Sequence, residues 1–238
     1  MAGHNKWSQI KHKKAKEDSK RGKAFTKLIK EITVSAREGG GDPAHNPRLR
    51  MLLEKGKEIN MPIENATRAI KRGTGELPGV NYESITYEGY GPHGIAVIVD
   101  ALTDNKNRTV AELRRIFSSS GGTLGDSGSV SWMFELCGVI RIASGNATED
   151  SLLELLIDHD IKDIKIEDAS TVIIGDPKHM ETIKQTLLAA HYTVESAELE
   201  WVAKTPISID QSQETKAFDF LSELQDHDDI KNVFTSLA

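Results

Sequence analysis

The sharpest constraint on this chain is the segregation of its charge. Residues 1–75 hold 18 Lys+Arg against 8 Asp+Glu, a net of +10, while residues 76–238 hold 12 against 28, a net of −16. Such a division fits a basic module carried on an acidic body that resists non-specific collapse onto a polyanion. The charge is densest at the start. Between Met1 and Lys30 stand Lys6, Lys11, Lys13, Lys14, Lys16, Lys20, Arg21, Lys23, Lys27 and Lys30, opposed only by Glu17 and Asp18. A polyanion is the simplest partner for this run, because each phosphate a cation neutralises releases condensed counterions. A merely solvated charge run is the bland alternative. Against it, Trp7, Ile10 and Phe25 interleave apolar surface with the charge, and the run feeds directly into an amphipathic helix. Trp7 and His12 therefore join the basic residues as candidate contacts.

Composition closes off several classes. At 238 residues, with 38 % hydrophobic and 28 % charged residues, the chain reads as an ordinary globular protein of one large or two to three small domains. No apolar run approaches the roughly 18 residues that span a bilayer, and the start lacks the apolar core of a signal peptide. Cys137 is alone, so no disulfide framework forms within one chain. A cytoplasmic location is the expectation.

The periodicity places a basic arm at residues 1–22 and a helical domain at 23–79. Phe25, Leu28, Ile29, Ile32 and Ala36 recur at helical spacing. Asn46-Pro47 caps a second helix with Leu49, Leu52 and Leu53, and Met61-Pro62 opens a third that Gly73 stops. On the third, Arg68, Lys71 and Arg72 form a basic edge. The last two helices also fit a DNA-reading helix-turn-helix, although short helix pairs are common in bundles.

Beyond Gly79 the pattern becomes mixed. Strands are expected at Ile85–Tyr90, Ile95–Leu102 and Ser129–Phe134, with a helix through Val110 to Phe117. Residues 135–204 read as βαββαβ, the ferredoxin-like split unit, with a single large mixed sheet as its competitor. Ile207–Ile209 then reads as a strand, Ala217–Leu224 as a helix and Ile230–Phe234 as a last strand. The expected architecture is α+β: a basic helical bundle, a discontinuous α+β domain at 80–134 plus 205–238, and a second α+β domain inserted at 135–204.

Catalytic and metal signatures are weak. Gly125-Asp126-Ser127-Gly128 spells a serine-protease nucleophile motif, but the expected companions in a secreted, disulfide-bonded chain are absent, so a turn is the better reading. Asp158-His159-Asp160 and His227-Asp228-Asp229 follow expected helices and read as solvated helix ends rather than ligands. No phosphate-cradling glycine motif follows a strand. The expectation is a non-enzyme with no cofactor, no metal, no small-molecule substrate and no membrane partner, with a monomer favoured. Tyr87 and Tyr90, beside Gly89 and Gly91, are candidate base-stacking rings, against the alternative that they pack on a helix or shape a turn.

The segments GHNKWSQIKHKKAKEDSKRGKAFTKLIKEITVSAREGGGDP, NPRLR, NMPIENATRAIKRGTGE, YEGYGPHGIAVIV, TDNKNRTVAELR and GSVSWMF together resemble the YebC/PmpR family nearly end to end. The resemblance implies three domains, one inserted in another, and a cytoplasmic, non-enzymatic regulator of gene expression. Members are usually classed as probable DNA-binding transcriptional regulators. Related proteins are described as translation factors that act on the ribosome and relieve stalling, with mitochondrial counterparts that activate translation. Asn5 stands where the family usually has serine, and His93 where it usually has glycine. Nine of the ten basic residues to Lys30 are lysine, a point-charge phosphate binder rather than the bidentate arginine that reads guanine. The reading therefore leans to RNA and the ribosome, with DNA as the alternative.

If the arm engages ~6 phosphates, log K should fall with log[salt] at a slope near −4 to −5. Deleting residues 1–20 should reduce both affinity and slope while the remaining domains stay folded. Salt titrations of the two proteins check this, and equal affinities would contradict it.

Overall fold

The protein is described by a computed structural model covering residues 21–143, 147–167 and 170–238. The contacts expected of residues 1–20 lie outside the described residues. Helix α1 (Arg21–Gly39) buries Leu28 and Ile32 against α2 (Pro47–Glu58) and α3 (Ile63–Gly73), which contribute Leu49, Leu52, Ala66 and Ala69. Asn46 starts α2 as the sequence implies. Its Oδ1 accepts from the Leu49 amide at 3.0 Å, while Nδ2 donates to the carbonyls of Ser35 and Gly40. One buried side chain thus caps one helix and ties off another. At Gly73 a Cβ would lie 2.4 Å from the Thr33 carbonyl, so only glycine lets α3 approach α1 this closely. The second and third helices each pack mainly on α1 rather than on one another. That is not the mutual packing of a helix-turn-helix.

The chain divides into two compact units, one running to Val130 and resuming over Ile207–Ala238, the other Ser131–Pro206. In the first unit, the bundle is followed by β1 (Glu83–Tyr90), β2 (Ala96–Thr103), α4 (Lys106–Ser119) and β3 (Thr123–Leu124). His93, in the β1–β2 turn, has φ 60. That left-handed conformation favours glycine, which is the residue the resemblance leads one to expect there.

The second unit holds β4 (Phe134–Ala143), α5 (Glu149–Leu155), β5 (Ile161–Ile166), β6 (Ser170–Gly175), α6 (Met180–Ala189) and β7 (Val194–Ala203). Its antiparallel order β5-β6-β4-β7 is that of the split βαββαβ unit. Ile140, Ile142, Ile164 and Ile173 meet Leu152, Leu156, Ile183 and Leu187 between sheet and helices. The first unit closes with α7 (Gln211–Asp226) and β8 (Ile230–Thr235), giving the order β3-β1-β2-β8. Its core joins Val97, Val99 and Val233 to Leu113, Phe117, Phe220 and Leu224, with Phe117 and Phe220 edge-to-face at 4.9 Å.

Two expected strands are corrected. Ser131–Met133 is a 3-10 turn, and β4 starts only at Phe134. Just before it, the Glu88 carboxylate takes the amides of Gly128 and Val130 at 2.8 and 2.9 Å, so a side chain consumes donors that a ladder needs. Ile207 makes only an isolated bridge to Leu237. No helix among the described residues is long and apolar enough to cross a membrane.

What joins the bundle to the first sheet is polar. Asp229, in the turn between α7 and β8, is 4 % exposed. Its Oδ1 accepts from Lys30 Nζ at 2.7 Å, and its Oδ2 from Arg108, Thr109 and Thr103 at 2.9, 2.8 and 3.1 Å. Burial pushes its pKa upward, but the bonds from Lys30, Arg108 and Thr109 outweigh burial and hold it well below the usual carboxylate range. Its stabilisation is therefore present above the unfolded value near ~3.9 and is lost as pH falls through the folded one. Asp229→Ala strands Lys30 and should cost ~3–5 kcal/mol. Urea melts should show that deficit near neutral pH and a smaller one in acid. An unchanged midpoint would contradict the assignment.

Candidate nucleic-acid interface

The basic residues fall into two groups with opposite fates. Lys23, Lys27 and Lys30 lie at i, i+4 and i+7 along one face of α1, where they meet the C-terminal end of α7. Lys23 Nζ donates to the Asp226 carbonyl at 2.9 Å, Lys27 Nζ to that of Gln225, and Lys30 Nζ to that of Asp228 at 3.0 Å. The first two are carbonyls a helix end leaves unpaired, at the negative end of its dipole, and the third belongs to the turn that follows. Glu31, on the same face, pairs with Lys231 at 3.1 Å, and Arg37 donates to the Tyr82 carbonyl at 2.6 Å. As a free nucleic-acid contact Lys30 is corrected: it is buried, and its ammonium neutralises Asp229. Lys27, half-buried, is held on the same docking face, and Lys23, which stays exposed, makes one bond there. Arg21 begins α1, and its side chain lies outside the described atoms.

The other group faces solvent. Glu64, Thr67, Arg68, Lys71 and Arg72 share the outward face of α3 and all are exposed. None of the cations Arg68, Lys71 and Arg72 has a hydrogen bond or ion pair with a described residue. After the helix, the Leu77 amide returns to the Lys71 carbonyl at 3.0 Å. Three cations within one and a half turns thus meet solvent as one edge. Lys6, Trp7, Lys11, His12, Lys13, Lys14, Lys16 and Lys20 lie outside the described residues.

The tyrosines separate too. Tyr87 alternates with Ile85 on the core-facing side of β1 and packs against the Val97–Phe220 core, which engages its ring. Burial raises its pKa first, with Asp229 adding to the rise and Lys106 opposing it. Tyr90 is 38 % exposed, with its hydroxyl donating to the Ser129 carbonyl at 3.3 Å.

Sequence reasoning missed a cleft of about 430 Å³ lined by Lys23, Arg108, Glu112, Arg115 and residues 226–229. The 227–229 segment, expected to be a solvated helix end, instead closes on Asp229 as a buried centre. The ligand atoms of Glu112, His227 and Asp229 come within 4.8 Å of one another. They are committed to other bonds. The Asp229 amide donates to His227 Nδ1 at 3.1 Å, which puts the proton on Nε2, and Nε2 donates to Glu112 at 2.7 Å. With Lys30 and Arg108 already on the carboxylate, the cleft is an internal ion network that disfavours a cation. Gly125–Gly128, the protease-like motif, is a loop held by Glu88.

This geometry defines a class: a basic helical bundle docked through lysines on an α+β sheet that a second α+β unit interrupts. The N-terminal domain of the TACO1/YebC protein matches residues 5–76, and the TACO1/YebC second and third domain matches residues 82–237. The chain belongs to the TACO1/YebC family. A relative from Chloroherpeton thalassium is 51 % identical, spanning 100 % of this chain and 95 % of its own. Another from Persephonella marina is 50 % identical over 99 % and 95 %. Both carry the name "Probable transcriptional regulatory protein". The crystal structure of a conserved hypothetical protein from Aquifex aeolicus, 40 % identical, superposes with a TM-score of 0.84 over 94 % of this chain and 93 % of that one.

Reversing charge on the free edge should separate binding from folding. Arg68→Glu with Arg72→Glu should weaken nucleic-acid binding at moderate salt at least tenfold, about 1.4 kcal/mol, with little change in melting temperature. A large drop in melting temperature with normal binding would make these residues structural.

Proposed function

We propose that this protein is a non-enzymatic regulator of gene expression that binds nucleic acid, acting on RNA and the ribosome as a translation factor that relieves stalling. The observation that carries the reading is the solvent-facing edge of Arg68, Lys71 and Arg72, unpaired among the described residues, in a bundle that follows a lysine-rich arm. Cations presented together on one helix face favour phosphate, and phosphate contacts position a protein without reading sequence. A major-groove reading helix would lead with its N-terminal residues. Here those exposed residues are Ile63 and Glu64, an apolar group and an acid that phosphate would repel. Shape and neighbouring protein would then supply specificity on RNA.

The printed name of the relatives supports the second reading, a DNA-binding transcriptional regulator. Such a protein should prefer its site over random duplex by ~10³–10⁷. The ribosome reading instead expects co-sedimentation with ribosomes at moderate salt, lost on deleting residues 1–20, and less than ~10-fold preference among duplexes of equal length, well below that specific range. Selection of one short duplex from a random pool by a protein that ignores ribosomes would reverse the order.

A further inference from the structure

Trp132 is 66 % exposed, whereas Trp201, the other described tryptophan, is half-buried. With two thirds of its surface in water, the residue keeps a flat aromatic face within reach of a partner. Its backbone is held firmly. Trp132 lies in the 3-10 turn Ser131–Met133, and Lys204 at the end of the same unit clamps that turn twice. The Lys204 amide donates to the Met133 carbonyl at 2.9 Å, and Lys204 Nζ donates to the Trp132 carbonyl itself at 3.0 Å. The ammonium is exposed and has three donors, so two remain for another acceptor.

We infer that Trp132 and Lys204 form a stacking site for one unpaired nucleic-acid base, the ring receiving the base face and the ammonium the adjoining phosphate. The inference rests on the nucleic-acid reading above and adds a second contact, remote in sequence from the arm and from α3. A pinned backbone with an exposed ring is preorganised, which lowers the ordering cost of binding. Charge decides between a single base and a duplex. Residues 131–206 hold 6 Lys+Arg against 14 Asp+Glu, so a long phosphate tract is repelled here while one splayed nucleotide beside Lys204 is tolerated. Tryptophan stacks on any base face, so the site should be sequence-tolerant.

The test is binding of a single-stranded adenylate 20-mer and of an RNA duplex of equal length to the full chain, its Trp132→Ala and its Trp132→Phe variants. The expected result is single-strand affinity about 5- to 150-fold weaker for Trp132→Ala, the ~1–3 kcal/mol of one stacked base. Trp132→Phe should lose only part of that and should remove a component of the tryptophan quenching seen in the wild type. Duplex binding and melting temperature should not move. Wild-type single-strand affinity in Trp132→Ala overturns the inference while arm-dependent binding survives. Unchanged RNA binding with lost ribosome co-sedimentation also overturns it, by making Trp132 a protein contact. Absence of binding to either RNA by the wild type overturns this inference and the nucleic-acid reading together.

Discussion

One carboxylate organises the first unit. Asp229 gathers Lys30 from α1, Arg108 and Thr109 from α4 and Thr103 from β2 within hydrogen-bond reach of two oxygens. Around it, α1 docks by donating lysine protons to the end of α7 rather than by burying an apolar stripe on the sheet. Its apolar stripe is already spent on α2 and α3. A polar seam is the remaining way to hold the bundle in place, and it works because every buried charge has a partner. The cost of an unpaired ammonium or carboxylate then makes docking all-or-none at this point.

The seam also gives the charge segregation a second meaning. Within the fold Lys30 finds its anionic partner in Asp229, and Lys23 and Lys27 find backbone carbonyls of the same chain. Only cations that the fold leaves unused remain for a polyanion. On α3 the small residues Ala66 and Ala69 face inward, so the long basic side chains are directed to solvent. Position on the helix, not charge density along the sequence, divides structural lysines from available ones.

That division explains what the sequence could and could not reveal. Local signals were readable: the Asn46 cap, the α1 stripe of Leu28 and Ile32, and the alternating strands and helices from Phe134 to Ala203 all depend on neighbours in the chain. The fate of Lys30 was not, because Asp229 lies 199 residues away. For the same reason, His227-Asp228-Asp229 resembled any polar helix end until the fold brought Thr103 and Thr109 beneath it. Strand propensity at Ser129–Phe134 was overridden by Glu88, a side chain 42 residues before Val130 that takes the Val130 amide. Tyr87 shows the limit from the other side, since its strand and both helices of its core were visible but not which face of the strand they cover.

The central claim is that the fold consumes the α1 lysines and leaves the α3 edge to the partner. Lysine acetylation footprinting with and without ribosomes tests it directly. Lys30 should be unreactive in both states, and Lys23 and Lys27 should react at rates the ribosome does not change. Lys71 should react readily in the free protein and be shielded in the complex. Equal modification of Lys71 in both states, with the ribosome shielding Lys23 and Lys27 instead, would contradict the account.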